Sequence, residues 1–218
     1  MLLNDGPWKY SDDIGKIFKH KGVEGQASFF INGNNYGCIY DDAIVKSIRR
    51  RFDEGFEFGS LTWGHTNVVN LTFAQLVRQL ELLETAITKI LGVRLGMFVA
   101  PYDSLDDKAA KIIREKGYKI VRWSLDSGDT TTNMAHPQGS IKLIRKWIKE
   151  ASGKSAIGLF DETKRDTVHK VLPQSINILK KHGYKLVTVS ECLGIEPYQP
   201  GRYVRSERDE TWTCELRY

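Results

Sequence analysis

Short β-rich runs alternate along the chain with longer amphipathic segments. The runs Gln26–Ile31, Phe56–Leu61 and Leu95–Val99 predict strands, and Asp42–Asp53 and Thr72–Leu91 predict the helices between them. The second helix is the clearest: Phe73, Leu76, Val77, Leu80, Leu83, Ile87 and Ile90 fall on one face. Thr72 is placed to cap it with Gln75 three residues on, and Gly92 stops it. The rhythm continues with a helix near Asp106–Lys116 ended by Gly117, a strand over Lys119–Leu125, a helix over Ile141–Lys149 and a strand over Ser155–Phe160. A helix follows over Leu172–His182, with Pro173 in its first turn and Gly183 after its end, and then a strand over Lys185–Val189. Six or so βα units imply an α/β fold, either a barrel or a doubly wound sheet.

The stretch Pro197–Tyr218 has no sustained period and is rich in Arg, Glu, Tyr and Pro. It reads as an irregular extension or a flexible tail after one domain over residues 1–196. With 218 residues, 41% of them apolar, the chain is long enough to bury one full-sized core. The 32 Lys and Arg exceed the 27 Asp and Glu by five, but Arg49, Arg50 and Arg51 run straight into Asp53 and Glu54. Such mixing suits solvated helix faces and argues against a nucleic-acid surface.

No apolar run approaches the roughly 18 residues of a membrane span. Met1-Leu2-Leu3 is too short for the apolar core of a secretory signal, so nothing here addresses the chain to a compartment. Cys38, Cys192 and Cys214 show no C-x-x-C spacing, which disfavours a cysteine zinc site and allows at most one internal disulfide. Cys192 and Cys214 lie near enough in sequence to be the pair.

Where strands feed helices, the strand C-terminal ends line the ligand site in either architecture. That rule singles out Asn4-Asp5, Leu61 to His65, Pro101-Tyr102, Asp126 to Asp129 and Phe160-Asp161. Read together, these places resemble the five motifs of carbohydrate esterase family 4, the NodB homology domain, over most of residues 3 to 195. Leu3-Asn4-Asp5-Gly6-Pro7 is similar to T-[YF]-D-D-G-P, and Ala27 to Asn35 resembles the A-T-F-F-V-N-G-N-N of fungal chitin deacetylases, the most specific signature present. Gly59 to His65 resembles G-S-H-T-Y-x-H, and Ala100-Pro101-Tyr102 resembles R-A-P-Y with Val99 in the place of Arg. Trp123, Asp126 and Asp129 resemble W-x-x-D-x-x-D, and Ile157 to Asp161 resembles I-x-L-x-H-D with Phe160 read as the replacement of His.

The resemblance implies a distorted (β/α) barrel of the polysaccharide deacetylase type, its first strand shortened or missing because only Met1-Leu2-Leu3 precedes the first motif. It also implies the family reaction, removal of an N-acetyl group from a sugar by a zinc or other divalent ion with an Asp base and a His acid. Carried over by position, the metal ligands are Asp5 and His65, with Leu61 at a lost third place. Asn4 stands at the base position and Phe160 at the acid position. Asp129 joins the catalytic set, and Trp63, Pro101, Tyr102 and Trp123 are substrate-facing candidates.

Leucine offers no lone pair, an amide is no base and a phenyl ring moves no proton, so the set predicts weak metal binding and little turnover. The expectation is a pseudoenzyme that binds chitin or a related N-acetylglucosamine polymer, in the extracellular or cell-wall setting of the family. Two alternatives stand beside it. One is an active deacetylase in which His20, His136, His169 or His182 supplies a missing ligand; the other is a protein-interaction scaffold using the basic stretch Arg202–Arg217.

Overall fold

The computed structural model describes residues 1–130, 137–151 and 153–215. Strands and helices alternate as β1 (Leu2–Asn4), α1 (Ser11–His20), β2 (Ser28–Ile31), α2 (Asp42–Asp53), β3 (Glu57–Ser60), α3 (Phe73–Leu91) and β4 (Met97–Phe98). They continue as α4 (Asp107–Glu115), β5 (Lys119–Ile120), β6 (Leu125–Asp126), α5 (Pro137–Ala151), β7 (Gly158–Asp161), α6 (Leu172–Lys181) and α7 (Val189–Leu193). The strands form one parallel sheet in the order β5-β4-β3-β2-β1-β7-β6, curled into a half-barrel with helices outside. The first strand is therefore present, and it is central: Asn4 pairs in register with Phe30 on one side and Asp161 on the other.

Alternation along the strands divides the core in two. Leu3, Phe29, Phe58, Phe98 and Phe160 belong to the large cluster under the helices. Leu2, Phe30, Leu61, Met97, Val99, Val121, Ile157 and Val189 make a second cluster inside the barrel.

Helix α3 begins and ends as its periodicity predicts, with Thr72 and Gln75 closing a reciprocal cap and Gly92 left-handed at φ 71°. Two predicted strands differ. The run Lys119–Leu125 is split into β5 and β6, which lie at opposite edges of the sheet. The Val121 amide still bonds Phe98 O, and the Ser124 and Leu125 amides bond Ile157 O. Four residues thus cross the open seam that ladder bonds would close in a full barrel. Lys185–Val189 is not a strand either. Thr188 accepts a hydrogen bond from the Glu191 amide and starts α7, so the capping signal Thr188-x-x-Glu191 outweighs the apolar run.

The extension after Pro197 has no helix or strand among its described residues, but it is fastened to the body. Gln199 Nε2 donates to Leu95 O at 2.8 Å, Arg205 pairs with Asp53 at 3.1 Å, and Trp212 is buried against Tyr40. Cys214 then forms a disulfide with Cys38, and Cys192 is a free thiol packed on the inner cluster. This corrects the Cys192–Cys214 pairing. Helix α7 starts beside Ser28 at the N-terminal end of β2, whereas the extension ends at the loop that follows β2. Closeness in sequence gave no closeness in space.

Candidate functional site

The loops after β1, β3 and β4 hold all five non-glycine residues with left-handed backbone found among the described residues: Asp5, Thr62, His65, Tyr102 and Asp103. Such conformations cost about 1 kcal/mol or more each, and they persist where the surroundings over-determine them. Here the surroundings are the Asn32–Asn34 strap after β2. The Asn32 amide donates to Gly6 O at 2.7 Å, while its side-chain Nδ2 donates to Leu61 O at 2.5 Å and Thr62 O at 2.9 Å. The Gly33 and Asn34 amides both bond Trp63 O at 2.8 Å. Gly33 is obligatory, since a Cβ there would lie 1.9 Å from the Trp63 ring. The run that resembles A-T-F-F-V-N-G-N-N is thus the tie between the Asp5 and His65 loops.

That tie brings His65 Nε2 to 3.0 Å from Asp5 Oδ1, with both side chains largely covered. Asn4 Nδ2 donates to the same Asp5 oxygen at 3.1 Å, and Asn4 Oδ1 is buried without a partner. The Tyr102 ring meets the His65 ring edge-on at 4.7 Å and is 69% exposed. Leu61 and Val99 point inward and are 1% exposed in the inner apolar cluster.

The other predicted site residues are distributed unequally. Trp63 is buried against Tyr40 and Gly33, Pro101 is buried, and Trp123 is half-buried on the inner cluster. Of the four substrate-facing candidates, Tyr102 alone offers a broad exposed surface. Asp126 caps a turn by accepting from the Gly128 amide. Asp129 Oδ2 accepts from the Asp161 amide at 2.8 Å and from Thr167 Oγ1 at 2.9 Å, and burial raises its pKa.

Phe160 does not reach the cleft. Strand β7 places it opposite Leu3, on the helix-facing side, in the large outer cluster. Asp161, opposite Asn4, is the residue on the Asp5 side, close enough for the two carboxylates to interact. The six-place pattern I-x-L-x-H-D laid from Ile157 puts its fifth place on Asp161 and its sixth on Glu162, so Asp161 and not Phe160 stands at the place of His. Two-residue alternation puts Asp161 on the side of Leu159, which packs on the inner cluster, and Phe160 on the other.

Asp161 is 1% exposed. Its Oδ1 accepts from Thr163 N at 2.7 Å and Thr163 Oγ1 at 2.6 Å, and its Oδ2 lies 3.7 Å from Lys164 Nζ. Burial, reinforced by the Asp5 and Asp129 carboxylates and opposed by the Thr163 hydrogen bonds, pushes its pKa up to about 6. Glu162 was also missed. It is fully buried beneath Gly6, where a Cβ would fall 1.4 Å from its Oε1, and burial pushes it up to about 8.

A divalent ion fits this donor set poorly. Asp5 and His65 are two donors, and Leu61, on which the resemblance lays a third, is buried in the inner apolar cluster. Among the described residues no group of three or more His, Cys, Asp or Glu side chains is arranged to hold a metal. His169 is bonded to Asp13 and Arg165 O, His182 to Ile178 O, and His20 is exposed in the last turn of α1. None of these three joins Asp5 and His65. His136 lies outside the described residues, as does Arg217. Within the basic extension, Arg205 and Arg208 are engaged with Asp53 and Asp42.

The Asp–His pair thus stands at the C-terminal ends of the strands of a parallel half-barrel, where such α/β folds carry their sites. Residues 1–121 match the family described as polysaccharide deacetylase, and the chain belongs to that family. It is 32% identical over 196 residues to a chitin deacetylase of Pestalotiopsis sp., covering 89% of this chain and 63% of that protein's length. It is also 32% identical over 201 residues to a chitin deacetylase of Colletotrichum lindemuthianum, covering 90% of this chain and 79% of that one. The solved structure of a chitin deacetylase from the latter fungus superposes with a TM-score of 0.83, covering 91% of this chain and 89% of that one. Among the described residues no helix is long and apolar enough to cross a membrane.

Proposed function

We propose that this chain binds chitin or a related N-acetylglucosamine polymer in its Asp5–His65–Tyr102 cleft and has lost the metal-dependent turnover of its family. The observation that carries this reading is the burial of Leu61 with Val99 in one sealed cluster. The place of the third ligand and the place of the arginine have become a continuous apolar floor. Asn4 supports it, since a carboxamide at the base position takes no proton near neutral pH. The arginine's loss accompanies the base's loss, because an arginine left without its anion would be a buried unpaired charge. The disulfide suits the extracellular or cell-wall setting of such polymers.

The test is acetate release from chitin oligosaccharides by the purified chain with added zinc, run beside metal analysis and calorimetric titration with the same sugars. Measurable affinity without acetate or stoichiometric metal is the expected result. No sugar affinity, or acetate with bound metal, overturns the reading.

Asp161 favours a second reading, an altered deacetylase. A leaving amine needs a proton, and a cleft carboxyl with a pKa near 6 carries one in mildly acidic solution. Under this reading acetate release falls as pH rises through about 6, and Asp161→Asn abolishes it. Release that survives that substitution dismisses Asp161 as the acid.

A further inference from the structure

We infer that Asn70 is a site of N-linked glycosylation. The chain has eight asparagines, and Asn70-Leu71-Thr72 is the one that begins an Asn-x-Ser/Thr triplet. The triplet lies between the 3₁₀ turn Val68–Asn70 and the first turn of α3. Asn70 and Thr72 are both exposed, while Val68 is 1% exposed and anchors the turn.

The local backbone is held by other groups. Asn67 Oδ1 accepts from the Val69 amide at 3.2 Å, and Gln75 Oε1 accepts from the Thr72 amide at 2.9 Å. A sugar on Asn70 Nδ2 therefore displaces nothing that the turn needs.

Two further observations point the same way. The Cys38–Cys214 disulfide requires an oxidising compartment, and in a eukaryotic cell that is the secretory route where such triplets are glycosylated. Phe73, three residues on, is 57% exposed and offers the first saccharide an aromatic face beside its attachment point.

The donor class is a lipid-pyrophosphate-linked oligosaccharide. The bond from sugar C1 to the pyrophosphate oxygen breaks and its electron pair leaves with the lipid pyrophosphate. Asn70 Nδ2 forms the new bond to C1 and loses one proton to the transferase.

The experiment is secretion of the full chain from a eukaryotic host, followed by intact-mass measurement before and after peptide:N-glycosidase treatment. We expect excess mass that the glycosidase removes, leaving Asp at position 70. Asn70→Gln and Thr72→Ala should each abolish the excess, and Thr72→Ser should keep it. A secreted, disulfide-bonded chain of unmodified mass overturns the inference, as does excess mass that survives Asn70→Gln and Thr72→Ala. The readout is mass, so it stands apart from whether the cleft binds chitin.

Discussion

Replacing Glu162 by Gln should stabilise the protein at alkaline pH and leave it nearly unchanged at acid pH. The carboxyl is fully buried, accepts one hydrogen bond from Ser11 Oγ at 3.0 Å, and has a second oxygen without a partner. Burial raises its pKa from 4.5 to about 8. The folded chain therefore keeps a proton that the unfolded chain releases above 4.5. Between these values the unfolded state binds fewer protons, so stability falls as pH rises, and the penalty levels off above about 8.

Linkage puts that penalty at about 1 kcal/mol at pH 5 and about 4 kcal/mol at pH 8. Gln keeps the shape and the acceptor for Ser11 and cannot ionise. Urea denaturation of both proteins should show a gap about 3 kcal/mol wider at pH 8 than at pH 5. In a chain of this length that corresponds to roughly 6–12 °C in Tm. An equal gap at the two pH values, or a less stable Gln variant at pH 8, would refute the reasoning.

Four further outcomes are expected. Leu61→His should raise zinc affinity in calorimetry and lower stability by roughly 2–5 kcal/mol without metal, since it puts a polar ring into the inner cluster. Unchanged zinc affinity would mean that position 61 does not face the Asp5–His65 pair. Cys38→Ser with Cys214→Ser should cost roughly 2–4 kcal/mol in denaturant titrations and open the extension to trypsin, because the bridge closes a span of 176 residues. Asn32→Ala should cost roughly 2–3 kcal/mol, read by thermal unfolding, because it removes the ties to Leu61 and Thr62 and orphans two buried carbonyls. Tyr102→Ala should weaken chitin-oligosaccharide binding about tenfold, a loss of about 1.4 kcal/mol of ring stacking, with no change in melting temperature.

Much of the scaffold was legible because its signals are local. Helices α2 and α3 follow from apolar spacing, and the ends of α3 follow from Thr72, Gln75 and Gly92. Helix α1 has no comparable signal: in ten residues its buried apolar side chains are only Ile14 and Phe18, which spacing alone does not distinguish from a loop. At the site, Asp5, His65 and Tyr102 come together because each follows a strand end. The side of the strand separates Phe160 from Asp161, because Phe160 pairs beside Leu3 and Asp161 beside Asn4.

By itself, then, the sequence determined the order of strands and helices, the caps, and the family motifs with Asn4 and Leu61 standing in them. All of these depend on residue identity or on neighbours a few positions apart. Only the tertiary structure decided that Lys119–Leu125 serves two edges of one sheet, that Trp63 is a buried prop, that Cys214 reaches Cys38, and that Asp161 and Glu162 hold raised pKa values. Those outcomes depend on what curvature and burial bring together across long stretches of chain, and pairing, desolvation and charge coupling act through space rather than along the sequence.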